Sequence, residues 1–353
     1  MGLGSPAGPP PSPGSLRPVV YLPTWARWDV MRQRPQYLMA AFAASGHPAY
    51  FVDPREGEER TADGVTIVPT LEGVPSSDVI LYVHFAPVRR LFERFDAPAV
   101  LYDVLDDLSI YDADEVGVPR GARVSAHHPE VIAAADIVTV STPVLADRHR
   151  SERPDLLLVP NGVDLARFRP ASGGRRHDRP VVGYHGAIAA WFDFDLYEEV
   201  AAAMPDVWFR IVGPVDPRVR DRADHLARLD NVELLPPLSP DAIPDLVASF
   251  DAGTVPFVVD HMTVAVSPLK MYEYMAAGVP VVATPLPACV STPGVRIGEG
   301  AARFAEALRA ALATPPAKRT ELRAAAEEAS WVRRIAPVRD RMDELGILRA
   351  GPR

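Results

Sequence analysis

Short apolar runs alternate along this chain with stretches of helical period. Val19 to Leu22 is a β-type run, and a polar and aromatic loop follows from Pro23 to Arg34. The spacing then predicts a helix from Pro35 to Ser45, closed by Gly46, and a strand from Ala49 to Val52. Val65 to Val68 reads as a strand, and Asp78 to Val83 is a continuous apolar run of the buried-strand type. Arg89 to Phe95 reads as a helix. Ala99 to Val104 reads as a strand that ends on Asp106-Asp107. A helix closing over Glu130 to Ala135, a strand at Ile137 to Ser141, a helix at Pro143 to Arg150 and a strand at Leu156 to Val159 complete the first half.

The pattern then restarts. Asn161 to Asp164 is a turn, and positions 171–179 read as an exposed linker. Pro180 to Tyr184 is a strand opening onto His185-Gly186-Ala187. A helix from Asp195 to Met204 and strands at Trp208 to Val212 and Val232 to Leu234 follow. Ile243, Leu246, Val247 and Phe250 share one helical face, and Ala252 to Pro256 is a strand. Ser267 to Ala283 is a helix and strand, and helices are expected at Ala302 to Ala313, Pro316 to Ala329 and Trp331 to Leu345. Two successive arrays of alternating strands and helices define an α/β protein with two doubly wound, Rossmann-like parallel sheets. The expected domains are 17–164 and 165–330. Ligands in such sheets bind beyond the carboxyl ends of the strands, so the cleft between the two domains is the natural site.

Composition narrows this picture. A chain of 353 residues with 48% apolar residues can build two cores of ordinary size. A net charge of -9 argues against nucleic acid as a partner. Cys289 is the one cysteine, which excludes a disulfide framework and fits a reducing, cytoplasmic compartment. No apolar run approaches the roughly 18 residues of a spanning helix, and peripheral contact with the inner membrane face stays open. Residues 1–16, rich in Gly, Pro and Ser, are expected to be a disordered tail and lack the pattern of a signal peptide.

The segment from Ser267 to Ala283 carries the most chemistry. Ser267 reads as an N-cap and Pro268 as the first helical residue, so Lys270 falls in the first turn, where the helix dipole disfavours a cation. An anion there removes the conflict, because the N–H groups of Leu269, Lys270 and Met271 and the ammonium would all address it. Glu273, three residues on, shares a face with Lys270 and could accept both hydroxyls of a ribose. Together these features suggest a nucleotide diphosphate. The same residues also read as a surface Lys270–Glu273 pair on a short buried helix.

At this point the chain resembles a family. Trp28-Asp29-Val30-Met31-Arg32-Gln33-Arg34-Pro35-Gln36-Tyr37-Leu38 is similar to a "W…RPQ-L" segment of bacterial teichuronic-acid and other surface-polysaccharide transferases. Tyr102-Asp103-Val104-Leu105-Asp106-Asp107 resembles the strand end "YD-x-x-DD", and Val159 to Asp164 the "PNGVD" bridge. Gly183 to Ile188 with Trp191-Phe192-Asp193 resembles "GYxGAI…WFD", and Ser267 to Val282 is similar to "SPLKxYEYxAxGxPVV". Five such pieces in order resemble a GT-B fold glycosyltransferase with the "glycosyl transferases group 1" C-terminal domain. The resemblance implies transfer of a sugar from a nucleotide-diphosphate sugar to a hydroxyl acceptor, which could be a glycan, a lipid-linked glycan or a small molecule. It also implies donor binding by the C-terminal domain, acceptor binding by the N-terminal domain, and a final helix, 331–353, that crosses back onto the N-terminal domain. Retention of configuration and independence from any metal or other cofactor are implied as well. The chain departs from the wider group at Ala265, where a first glutamate of a pair is common. It also lacks an Arg and a Lys in the stretch Gly186 to Trp191. A non-catalytic nucleotide-sugar-binding protein and a nucleotide-sugar epimerase on the same fold are the alternatives.

Within this frame further residues become candidates. Trp28, Arg32 and Arg34, with Trp25, could contact acceptor or donor phosphate from the N-terminal side. The other reading is an ordinary solvated basic loop. Asp103, Asp106 and Asp107 end a buried strand. Asp106 is the first choice for a carboxylate near the acceptor hydroxyl or the developing sugar cation, with Asp103 beside it. The competing role is turn-forming or capping acids. His84 follows a strand and could touch acceptor or sugar, or be structural. Gly186 would let a phosphate approach the backbone. Asp193-Phe194-Asp195 spells an Asp-x-Asp, but its place before a helix favours capping over a metal. His127 and His128 are expected to be loop residues with no metal-ligand partner.

Overall fold

The computed structural model describes residues 3–24, 26–96, 98–108, 124–169 and 178–351. Trp25 and most of the expected linker at 171–179 lie outside this set. The chain divides into two compact units, Met1–Pro160 with Trp331–Arg353, and Asn161–Ser330. The division falls at 160/161, four residues before the expected boundary.

Unit 1 is built on strands β1 (Val19–Tyr21), β2 (Ala49–Val52), β3 (Arg60–Ala62), β4 (Val65–Val68), β5 (Ile80–Val83), β6 (Ala99–Val104), β7 (Ile137–Val140) and β8 (Leu157–Leu158). Their order is β3-β4-β2-β1-β5-β6-β7-β8. All pairs are parallel except β3 with β4, an edge hairpin. Asp63 and Gly64 both take positive φ, 50° and 76°, so this Asp-Gly turn sets the hairpin register. The pattern-based reading passed over β3 because its side chains are half-buried or exposed. β1, β5, β6 and β7 are buried along their whole length, as strands covered on both faces must be.

Unit 2 contains β9 (Val181–His185), β10 (Trp208–Val212), β11 (Val232–Leu235), β12 (Ala252–Val255), β13 (Val281–Ala283) and β14 (Val295–Ile297). The order is β11-β10-β9-β12-β13-β14, with every pair parallel. This is the doubly wound order 3-2-1-4-5-6. Unit 1 repeats it, with β8 added beyond β7, once its antiparallel edge strand β3 is set aside. Each sheet therefore reverses direction beside its first strand, between β1 and β5 in unit 1 and between β9 and β12 in unit 2. Those reversals are where α/β sheets open a ligand crevice.

Several expectations change. Residues 3–16 are laid against unit 1. Gly8 donates its N–H to Val74 at 3.0 Å, and Gly14 donates to Ala350 at 3.0 Å. Leu16 pairs with Arg349 as an antiparallel bridge. Backbone hydrogen bonds thus replace the side-chain packing that this composition lacks. The helix from Trp331 to Glu344 belongs to unit 1, where Trp331 stacks on Tyr37 with centroids 5.6 Å apart. His127 and His128 lie on a helix, Val124–Ala134, and not in a loop. Asp193 caps the helix Phe194–Ala202 by accepting from the Leu196 N–H at 3.0 Å, and Asp195 pairs with Arg222. The Asp-x-Asp thus acts as a helix start.

Candidate functional site

In unit 1, two of the sequence-predicted residues meet each other in the core. Arg34 begins the helix Arg34–Ala44, and its guanidinium forks onto Asp103 of β6. Nε donates to Oδ2 and Nη2 to Oδ1, both at 2.8 Å. Thr139 on β7 donates its hydroxyl to Oδ1 at 2.6 Å, and Tyr82 on β5 donates to Oδ2 at 2.9 Å. The two residues are 2% and 0% exposed. Burial alone would raise the Asp103 pKa. Arg34, Thr139 and Tyr82 outweigh it and hold the carboxyl below its usual range. Four donors on one fully buried carboxylate leave it no role toward a substrate hydroxyl. Asp103 is therefore a structural group, and Arg34 is its counter-ion and not a phosphate ligand.

The neighbouring predictions change for related reasons. Trp28 is 3% exposed and meets Phe51 edge-on at 5.3 Å, so it is core and not an acceptor platform. Arg32 lies over the rings of Trp28 and Tyr37, at 5.1 and 5.6 Å, and pairs with Asp63 of the edge hairpin. The "RPQ" segment is a clamp. Gln36 accepts from the Gln33 N–H at 3.2 Å and donates to the Arg27 and Met31 carbonyls, at 2.9 and 3.1 Å. Arg55 holds the same loop from the other side through Thr24 and Ala26, while its Nε bonds Asp53 at 2.7 Å.

What remains at the β1/β5 reversal is His84 and, beyond β6, Asp106. His84 is 5% exposed, stacks on Tyr21 with centroids 5.5 Å apart, and has Nδ1 3.1 Å from the Tyr21 hydroxyl. Burial lowers its pKa to about 4, so the imidazole is neutral at pH 7. Asp106 is only partly buried and lies outside the four-donor cage around Asp103. Asp107 pairs with Arg148.

In unit 2, the predicted donor residues converge at the β9/β12 reversal. The helix is Leu269–Ala276, and its N-cap is Pro268, not Ser267. Ser267 cannot cap because Asn161 occupies it. The Asn161 Nδ2 donates to its carbonyl at 2.5 Å, and the Asn161 N–H reaches its hydroxyl at 3.4 Å. Met271 spends its N–H on Pro268 at 3.3 Å, which leaves Leu269 and Lys270 as the N–H groups without intrahelical acceptors.

Gly186 follows β9 with φ at 119°, a conformation that favours glycine. A Cβ there would lie 3.2 and 3.3 Å from Cε and Nζ of Lys270, so loop and ammonium touch. Nζ sits between the rings of Tyr184 and Phe257, 4.7 Å from each centroid. Among the described residues, no carboxylate lies within 4.0 Å of it, and no hydrogen bond is made to it. Lys270 as a whole is half-buried. Burial lowers the Lys270 pKa to about 8, opposed by Glu273. Glu273 is 5% exposed, with Oε2 3.1 Å from the His185 Nε2. That approach is off the hydrogen-bond direction, so Nε2 is buried without a hydrogen-bond partner. Tyr274 locks the arrangement by accepting from the His185 N–H at 3.2 Å.

His185 was a candidate because it directly precedes Gly186, whereas Tyr184, Phe257 and Tyr274 carry no such mark in their chemistry. The signal for Tyr274 was its spacing of four from Lys270, which places both on one side of the helix. Nothing local marks Phe257, which arrives from the far end of β12. Beside this cluster, Gly213, Pro214, Val215, Arg220, Leu235 and Pro237 line a pocket of about 600 Å³ at the ends of β10 and β11.

Two Rossmann-like units in one chain define the GT-B class of glycosyltransferase folds. Residues 179–314, within unit 2, match the family model of the glycosyl transferases group 1. TuaH of Bacillus subtilis (strain 168), described as a teichuronic acid biosynthesis glycosyltransferase, is 32% identical over 169 residues, 44% of this chain and 42% of that protein. The chain thus spans about two fifths of the length of the curated relatives it matches. Sucrose-phosphate synthase from Thermosynechococcus elongatus has the same fold, with a TM-score of 0.68 at 17% identity over 94% of this chain and 98% of that one. HepE of Anabaena, solved in complex with UDP and glucose, has a TM-score of 0.66 at 13% identity over 93% and 100%.

Proposed function

We propose that the protein is a glycosyltransferase that moves a sugar from a nucleotide-diphosphate sugar to a hydroxyl acceptor. One observation carries the reading. Lys270 is a half-buried cation at a helix start, against a glycine loop, and no carboxylate among the described residues lies within 4.0 Å of it. A positive charge partly removed from water favours an anion, and the N–H groups of Leu269 and Lys270 address the same point.

In this reading the diphosphate sits on the helix start and the Gly186 loop. Charge builds on the departing diphosphate as the sugar–oxygen bond breaks, and the ammonium and N–H groups are already oriented to stabilise it. Glu273, one turn further along, accepts the ribose hydroxyls, with His185 beside its carboxylate. Unit 1 holds the acceptor, which could be a glycan, a lipid-linked glycan or a small molecule. There His84, neutral at pH 7, and Asp106 are the groups for the acceptor hydroxyl and the sugar cation. The reading assigns transfer with retention and no metal at the donor, so chelators should leave the transfer step intact. It also places the protein in a reducing compartment. No helix among the described residues is long and apolar enough to cross a membrane.

Lys270→Ala should lower kcat/KM by roughly ten- to a thousand-fold, the loss seen when one charge-stabilising donor is removed. Donor binding to the variant, followed by calorimetry with nucleotide diphosphates, should weaken in parallel. An unchanged rate and affinity would refute the phosphate role. A second reading, a non-catalytic nucleotide-sugar-binding protein, is favoured by Ala265. It stands fully buried where the wider group often carries a glutamate, and Asp260 nearby spends Oδ1 on the Met262 and Thr263 N–H groups. Tight donor binding with neither hydrolysis nor transfer to any acceptor would support that reading.

A further inference from the structure

Three groups on one flank of unit 1 take no part in the site described above. His128 projects from the helix Val124–Ala134, His149 ends the helix Pro143–His149, and Glu152 follows in the next turn. The His128 Nε2 lies 3.3 Å from the Glu152 Oε2, and the His149 Nδ1 lies 3.8 Å from the same oxygen. All three candidate ligand atoms fall within 4.8 Å of one another. The two imidazoles are packed with centroids 4.8 Å apart. The sequence reading left His128 without a metal-ligand partner because no short spacing joins it to another histidine. The helices supply what spacing did not.

We propose that His128, His149 and Glu152 form a binding site for a zinc-type divalent cation, which clamps the helix Val124–Ala134 to the chain leaving the helix Pro143–His149. Two imidazoles and a carboxylate are a zinc donor set, with a fourth position left for water. Zinc bonds of about 2.0–2.1 Å at tetrahedral angles place ligand atoms about 3.3–3.4 Å apart. The observed 3.3 and 3.8 Å to the half-exposed Glu152 are close to that edge, and the two imidazole nitrogens, within 4.8 Å of each other, would close on the cation by a small side-chain rotation.

A second observation points the same way. The His149 Nδ1 is buried with no hydrogen-bond partner. A ligand bond would satisfy it, whereas an unmade hydrogen bond there is a standing cost. Tyr102 supplies the supporting shell, its hydroxyl 2.9 Å from the His128 Nδ1. When that hydroxyl accepts from Nδ1–H, Nε2 presents its lone pair to the cation. Without the cation the tautomer reverses, Tyr102 donates, and Nε2–H turns to Glu152. Burial lowers the pKa of both histidines, and their mutual proximity lowers that of His128 further. Neutral imidazole is the form that binds metal. Asp107 and Arg148 also act on His149, with opposite signs. Tyr102 adjoins Asp103 on β6, so the clamp would brace the strand that carries the buried ion pair. It lies outside the donor site and leaves the proposed metal-free transfer untouched.

The test uses the full-length chain, stripped with a chelator and titrated with zinc chloride, with bound metal counted by mass spectrometry. One zinc per chain and a raised Tm are expected, and cobalt in its place should give the intense visible absorption of a tetrahedral site. His149→Ala should abolish stoichiometric binding. Glu152→Gln, at an exposed position that does not threaten folding, and Tyr102→Phe should each weaken it by about 10- to 100-fold. His127→Ala, on the adjacent exposed residue, should bind as well as the parent. Zinc uptake no greater than that of His149→Ala, retention in Glu152→Gln, or loss in His127→Ala would each overturn the assignment.

Discussion

Two basic residues, one in each unit, stand at helix starts within motifs that the sequence marks. Arg34 in unit 1 and Lys270 in unit 2 both read as anion ligands, and the structure treats them in opposite ways. Arg34 is paid back in full by Asp103, two bonds from its own fork and two more from the Thr139 and Tyr82 hydroxyls. Lys270 has two aromatic faces and, among the described residues, no carboxylate within 4.0 Å. Their acid–base behaviour follows. Burial works against the Arg34 charge, but Asp103 more than offsets it and raises the pKa. Burial lowers the Lys270 pKa to about 8, and Glu273 offsets only part of that. A buried cation with its counter-charge in place holds a fold together. One without it is available to a ligand.

The largest effect should come from unpairing the first of these. Asp103→Ala or Arg34→Met leaves the other charge buried alone, at a cost of about 3–5 kcal/mol in urea unfolding of the full chain. Removing both together should cost clearly less than the two single losses combined. A single loss below about 1 kcal/mol, the value of an exposed pair, would break the comparison.

Next in size is the acid limb of unit 1. His84 has its pKa lowered to about 4 in the folded chain, against an ordinary value near 6.5. A depressed histidine favours the folded state while neutral. Its unfolded form takes up a proton as the pH falls below 6.5, and the folded form does so only near 4. Stability should therefore fall across that window by about 3–4 kcal/mol at most, one unit being 1.36 kcal/mol. His84→Gln should flatten that limb in unfolding curves measured from pH 7 to 4.

A smaller effect tests the contact between loop and ammonium. Gly186→Ala places a Cβ against Lys270 in a backbone conformation with φ at 119°. The strain should cost about 1–3 kcal/mol and weaken nucleotide-diphosphate binding, measured by calorimetry. An alanine that binds as tightly as glycine would separate the loop from the diphosphate.

The smallest effect sharpens the second half of the comparison. Lys270 is charged below pH 8 and neutral above, so affinity for a nucleotide diphosphate should decline as pH rises past 8, approaching tenfold per unit. Lys270→Arg keeps its charge throughout and should remove that slope, although a planar fork fits the site less well.

Much of the fold was legible because alternation of period is a local property. The two arrays follow from it, and the strand-to-helix junctions at His185-Gly186 and Ser267–Leu269 were found within a residue or so. The grouping of Lys270 and Glu273 on one helix face was also legible, and Gly186 follows the end of β9. The unit 1 candidates were less so. Arg34 and Asp103 are 69 positions apart, and Trp28 in a polar loop looks like a platform until Phe51 is seen beneath it. His128 and His149 are separated by a strand, which no spacing rule bridges.

By itself, the order of apolar and polar residues determined two doubly wound sheets, the strand ends at which chemistry could be placed, and a helix start with a lysine in its first turn. Tertiary structure alone decided which charges are neutralised. The physical reason is that a counter-ion is set by sheet register and helix packing across tens of residues, and the energy of a buried charge depends on what lies within a few ångströms of it.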